Sequence, residues 1–135
     1  MIKSLKKGKE IVVTAANKVG ILATISKILA DHAINIEGVA GYAVNKEAKI
    51  MLVTNDTPRA KKALQEGGYK KIKENDVVVV ELENKPGALK DLSAKLAGGK
   101  IDIKYTYGTT CIESCPSRII FSTSNNEKAI VILKA

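Results

Sequence analysis

The chain has 135 residues, 45% of them hydrophobic, which excludes a disordered chain and leaves room for one ordinary domain or two very small ones. Aromatic residues are 4% and tryptophan is absent, so the core must be built from Val, Ile, Leu and Ala. The net charge of +8 rests on 22 basic residues, all Lys except Arg59 and Arg118. Interspersed with Glu and Asp, they read as a solvated surface rather than a nucleic-acid face.

Glu10 to Ala16 is β-branched and apolar, which predicts a strand. Ile21, Leu22, Ile25, Ile28 and Leu29 recur at the spacing of one helix face. Ile34 to Val44 alternates and contains glycines, which suits a strand with a bulge. Asn45 to Ala48 reads as a turn, and Lys49 to Thr54 as a third strand. Thr57-Pro58 has the form of a helix start, with Thr as N-cap and Pro in the first turn. That helix runs to about Glu66, and Gly67-Gly68 ends it. A short strand is expected near Tyr69 to Lys73. The order β-α-β-β-α-β is the split, ferredoxin-like arrangement, an α+β fold with two helices on one face of an antiparallel sheet.

The same order then begins again. Val77 to Leu82, VVVVEL, is apolar on both faces and predicts a central strand. Asn17, Lys18, Gly20 and Leu22 recur 67 residues on (17 to 84) as Asn84, Lys85, Gly87 and Leu89. Ser26, Leu29, Ile34 and Ile36 recur at the same offset as Ser93, Leu96, Ile101 and Ile103. The stretch from Lys49 resembles that from Arg118 at an offset of 69 (49 to 118), so the second repeat holds two extra residues, in the loop of Cys111 and Cys115. Two ferredoxin-like repeats are expected, residues 1–75 and 76–135. The second has no evident last strand, since its second helical segment ends at Ala135. Either Met1 to Leu5 fill the vacant edge or that sheet is one strand short.

Both repeats place Asn-Lys-x-Gly-x-Leu between the first strand and the first helix. A helix N-terminus offers free amides and a partial positive charge, which suit a carboxylate. The Asn amides can donate and accept hydrogen bonds, as an α-amino acid requires. The plainer reading of each loop is a cap and a tight turn.

A strand, then N-K-x-G-x-L, an amphipathic helix and I-x-I resembles the ACT domain over nearly the whole chain, as two tandem copies. NKPGAL from Asn84 is the fuller match, while NKVGIL from Asn17 has Val19 where the other has Pro86. Tyr105-x-Tyr107 is similar to a feature of free-standing two-ACT proteins. The resemblance implies repeats whose sheets pair side by side, an amino acid bound at the junction, no catalysis, no cofactor and a homodimer. Carried over by motif, the ligand-binding residues are Asn17, Lys18, Val19, Gly20, Ile21 and Leu22, and Asn84, Lys85, Pro86, Gly87, Ala88 and Leu89. Asn35, Glu37, Lys104 and Tyr105 are weaker candidates on the facing strands. A downstream enzyme or regulator would read the bound state.

The competing readings are fewer in residues. A structural dimerisation module would share the fold and need no ligand. A nucleic-acid-binding module of this topology needs stacking aromatics on its central strands, and KIMLVT and RIIFST lack that pattern. An acylphosphatase-like enzyme needs an arginine in the first loop, where Lys18 and Lys85 stand. His32 has no Ser, Cys or Asp set around it from which to build a catalytic centre. Cys111 and Cys115 read as two free thiols rather than a metal site. No apolar run spans a bilayer and the N-terminus lacks a signal-peptide core, so a soluble cytoplasmic protein without a membrane partner is expected.

Overall fold

In the computed structural model, which describes residues 2–110 and 115–135, the first strand is the longest element. Strand β1 spans Ile2–Ala16, followed by α1 (Ile21–Asp31), β2 (Ile36–Val44), β3 (Glu47–Thr54) and α2 (Thr57–Glu66). Then come β4 (Lys71–Leu82), α3 (Ala88–Gly98), β5 (Ile103–Thr109), β6 (Ser117–Thr123) and α4 (Asn126–Lys134). The fold is α+β. The chain divides into two compact units, Lys9–Asn75, and Met1–Gly8 with Asp76–Ala135.

In the unit Lys9–Asn75 the strand order is β2-β3-β1-β4, which is the ferredoxin-like order with β1 central. β1 and β3 pair antiparallel from Ile11↔Leu52 to Ala16↔Glu47. β2 pairs β3 with a register shift between Ile36 and Gly38, the bulge expected of this glycine-bearing strand. Ile11, Val13, Ile50 and Leu52 meet Ile25, Leu29, Ala60 and Leu64 in the core, with Tyr69 and Ile72 packed beside them. Those last two residues belong to the edge that β4 completes. The strand expected near Tyr69 to Lys73 is thus the start of a longer one that continues into Val77–Leu82.

The other unit repeats the plan with strand order β1-β4-β6-β5. Its own repeat supplies three strands, and the fourth position is taken by the beginning of β1. Ile2 and Leu5 pack on a core of Val78, Val80, Leu92, Leu96, Phe121 and Ile130. They stand where Tyr69 and Ile72 stand in the first unit. The vacant edge anticipated in the second repeat is therefore occupied by N-terminal residues. Lys3, Lys6 and Lys7 in the same strand are exposed, so its charge pattern had concealed its two core residues.

The two repeats agree in fine detail. Gly20 and Gly87 have φ of 88° and 89°, and Ala33 and Lys100 have φ of 56° and 58°. The N–H of Asn35 donates to Asn55 Oδ1 at 2.9 Å, and that of Asp102 to Ser124 Oγ at 3.1 Å. The α2 helix is capped by Asp56, whose side chain accepts from the Arg59 N–H at 3.2 Å, not by Thr57 as expected. The carboxylate one residue earlier reaches the third amide, while Thr57 is already helical. Asn125 caps α4 in the same way, accepting from the Lys128 N–H at 3.0 Å.

Cys115 is disulfide-bonded, contrary to the expectation of a free thiol; Cys111 lies outside the described residues. Among the described residues no helix is long and apolar enough to cross a membrane.

Candidate ligand-binding site

The two Asn-Lys-x-Gly-x-Leu loops fold alike because the glycine sets the backbone. Gly20 is the N-cap of α1 and Gly87 that of α3, each in the left-handed region. Neither helix has a side-chain cap. The Ile21 N–H turns back to Lys18 O at 3.3 Å and the Thr24 N–H makes the first helical bond to Gly20 O at 2.9 Å. In the second copy Ala88 N–H reaches Lys85 O at 3.3 Å and Asp91 N–H reaches Gly87 O at 3.0 Å. The second and third amides of each helix, on Leu22 and Ala23 and on Leu89 and Lys90, have no acceptor within the helix. They are N–H donors at the positive end of the helix dipole, the chemistry that suits an anion.

A Cβ built on Gly20 or Gly87 meets nothing within 4 Å. The glycines are therefore required by their φ and not by a close neighbour, and the space beside them is open. Gly20→Ala and Gly87→Ala should each cost about 1–2 kcal/mol, the strain of a left-handed alanine, read as a lowered urea midpoint at unchanged slope.

Asn17 is tied to the adjoining turn, its N–H donating to Lys46 O at 2.8 Å. Lys18, Val19, Gly20 and Leu22 are exposed, and Val19 is fully so at 108%. Asn84, Lys85, Leu89 and the buried Ala88 line a hollow of ≈ 240 Å³ that Gly108, Thr109, Ser117 and Ile119 close on its other side. Pro86 is exposed beside it.

The copies differ in charge. Lys85 donates to Glu83 at 2.8 Å, and this bond holds the Glu83 carboxyl below its ordinary value and the Lys85 ammonium above its own. The first copy has Ala16 at the place of Glu83 (16 to 83) and Thr24 at that of Asp91 (24 to 91). The first turn of α1 carries no acidic residue, whereas that of α3 carries Asp91.

The facing-strand candidates lie elsewhere in their own units. Asn35 and Glu37 follow α1, which at 11 residues is about 16 Å long, so they sit at the end opposite the Asn17–Leu22 loop. Asn35 is held there by Asn55. Lys104 is exposed at the start of β5, and Tyr105 stacks on Tyr107 with ring centroids 6.5 Å apart. Neither pair lines the hollow beside its own loop. Gly108, Thr109 and Ser117 beside the second loop, and Tyr69 beside the first, are lining residues that the motif alone does not point to. Among the described residues no group of three or more His, Cys, Asp or Glu side chains gathers as a metal site.

Sequence comparison bears on residues 9–66, which match the family model of the ACT domain. That match takes in 58 of the chain's 135 residues (9 to 66). No curated protein sequence matches the chain. Its structure is similar to that of a protein from Bacteroides thetaiotaomicron, with a TM-score of 0.88, 25% identity, and coverage of 96% of this chain and 88% of that one. The regulatory subunit of aspartate kinase from Thermus thermophilus has a TM-score of 0.71 at 13% identity, over 99% of this chain and 95% of that one. The corresponding subunit from Thermus flavus has a TM-score of 0.63 at 14% identity, over 97% and 94%. At these identities the kinase subunits share the fold. The ACT match covers the first loop, Asn17 to Leu22, and the second loop reproduces that loop's backbone geometry.

Proposed function

We propose that this chain is a tandem ACT protein that binds an amino acid and, without catalysis of its own, passes the bound state to a partner enzyme or regulator. The observation that carries this reading is the uncapped, left-handed helix start built twice, at Gly20 and Gly87, each with open space beside it. The ligand carboxylate docks on the amides of Leu22 and Ala23, or of Leu89 and Lys90. Its amino group meets the Asn17 or Asn84 side chain and a strand of a second copy of the chain. The ACT match over residues 9–66 supports ligand binding, and the likeness in fold to kinase regulatory subunits supports a regulatory role.

Homodimerisation is part of the proposal. β2 is an edge strand, and Val39, Tyr42 and Val44 on it are 49%, 50% and 54% exposed. The turn that follows is bonded to Asn17, so this edge and the Asn17–Leu22 loop form one surface. An edge of this kind invites pairing, and pairing with a second copy sets a loop against a partner strand. Ligand bound there favours one arrangement of subunits only if it binds the two arrangements with different affinity. The same apolar edge favours the second reading, a dimerisation module without ligand.

Calorimetry with the amino acid that binds the native chain separates the two. Asn17→Ala with Asn84→Ala should weaken binding roughly tenfold or more, the loss of a hydrogen bond to a charged group, with the melting temperature of the free protein nearly unchanged. Unchanged affinity in that variant would remove the loops from the account.

A further inference from the structure

Two hollows adjoin at one end of the unit Lys9–Asn75, on the flank of the Asn17–Leu22 loop where β4 begins. One, of ≈ 220 Å³, is lined by Lys18, Ile21, Thr24 and Tyr69 among others. The second, of ≈ 260 Å³, is lined by Glu47, Lys70 and Lys71 and shares Ala15, Ala16 and Tyr69 with the first. Three lysines, Lys18, Lys70 and Lys71, therefore line one concave surface. A single carboxylate, Glu47, lines it as well, and Lys71 takes it at 3.6 Å. Lys18 and Lys70 make no ion pair among the described residues. Tyr69, half-buried against the core, gives the shared wall a flat apolar face.

The equivalent place in the other unit shows that this is not lysine abundance alone. The hollow beside α3 is lined by Ile2, Leu82, Ala88, Asp91 and Lys95. Asp91 stands there where the first unit has Thr24, and Glu83, holding Lys85 at 2.8 Å, stands where it has Ala16. One unit balances its charges at this position and the other leaves a positive concavity. The first turn of α1, free of acidic residues, adds its dipole to the same side.

We propose that this surface binds a small molecule carrying two linked anionic groups, a diphosphate or a dicarboxylate, one group near Lys18 and the other near Lys70 and Lys71. The span of two adjoining hollows calls for two groups, and lysines act on each as point charges without demanding one planar geometry. The surface shares Lys18 and the start of α1 with the amino-acid loop, but it lies on that loop's β4 flank and uses neither Asn17 nor β2, so its test stands apart from the amino-acid reading.

The test titrates the isotope-labelled full chain with inorganic pyrophosphate and, separately, with succinate at constant ionic strength, following amide shifts. Saturable shifts confined to residues 14–24, 46–47 and 68–71 are expected with at least one probe, and the tighter of the two identifies the anion class. Lys18→Gln with Lys70→Gln should weaken that binding at least about tenfold, while Lys62→Gln with Lys128→Gln should leave it as it was. All four lysines are exposed, so both variants should keep the native circular dichroism. Shifts spread over lysines throughout the chain, failure of both probes to saturate, or native affinity in the first double variant would overturn the proposal. So would binding of a single-stranded RNA oligomer with none of either probe, which would mark an extended polyanion surface instead.

Discussion

Deletion of residues 1–8 should unfold the unit formed by Asp76–Ala135, at a cost on the order of 5 kcal/mol. Ile2 and Leu5 are partly buried on the core that holds Phe121, Leu92 and Leu96. Their burial contributes about 1–2 kcal/mol each, and the backbone bonds of a lost strand about 1 kcal/mol apiece. That sum rivals the whole stability of a small domain. Hydrogen exchange reads the result directly: amides of Val77–Leu82 and of β6 should lose their protection in the shortened chain. Protection retained there would mean that three strands and two helices suffice, and that β1 merely lies along the edge.

Phe121→Ala should be the most damaging single truncation, at about 3–5 kcal/mol. Phe121 is the one phenylalanine of the chain and is 1% exposed, on β6 opposite Val78. In a core otherwise made of Val, Leu, Ile and Ala, no neighbour is large enough to fill the space it leaves. Val131→Ala, at a position of α4 that is 67% exposed, is the control and should change stability by less than about 0.5 kcal/mol. Urea denaturation of both variants measures the contrast, and comparable losses would mean that Phe121 does not anchor the core in the way its burial indicates.

The elements most legible in the sequence were those whose signal is local. Ile25 and Leu29 lie on the buried face that their spacing predicts, and the glycines of the two loops sit at helix starts. The Ile34–Val44 strand has its bulge. The cap of α2 was misread because Thr57-Pro58 looks like a helix start by itself. Comparing the repeats would have corrected it, since Asp56 aligns with Asn125 (56 to 125) and both side chains reach the third residue on. The start of β1 was only one of two candidates for the vacant edge. Its partners lie more than 70 residues away in the chain, and its lysines mask Ile2 and Leu5.

The site divides along the same line. The loops were readable because the motif recurs, and the φ of each glycine gives the recurrence its physical cause. Tyr69 was not readable as a neighbour of Lys18, because only the strand order β2-β3-β1-β4 brings the start of β4 beside the end of β1. Nor does the motif foretell that Glu83 engages Lys85 while Lys18 has no such partner, a difference that lies outside the shared pattern.

The central claim is that the chain binds an amino acid. A thermal-shift screen of the purified protein against the common amino acids, at millimolar concentration, tests it most directly. A ligand that binds only the native state must raise the melting temperature, by about 2.7 kcal/mol of added stability at a hundred times its dissociation constant. The account predicts a clear rise with one amino acid or a few of related side chain, and no rise with the rest. No shift with any of them would contradict the claim and leave a dimerisation module in its place.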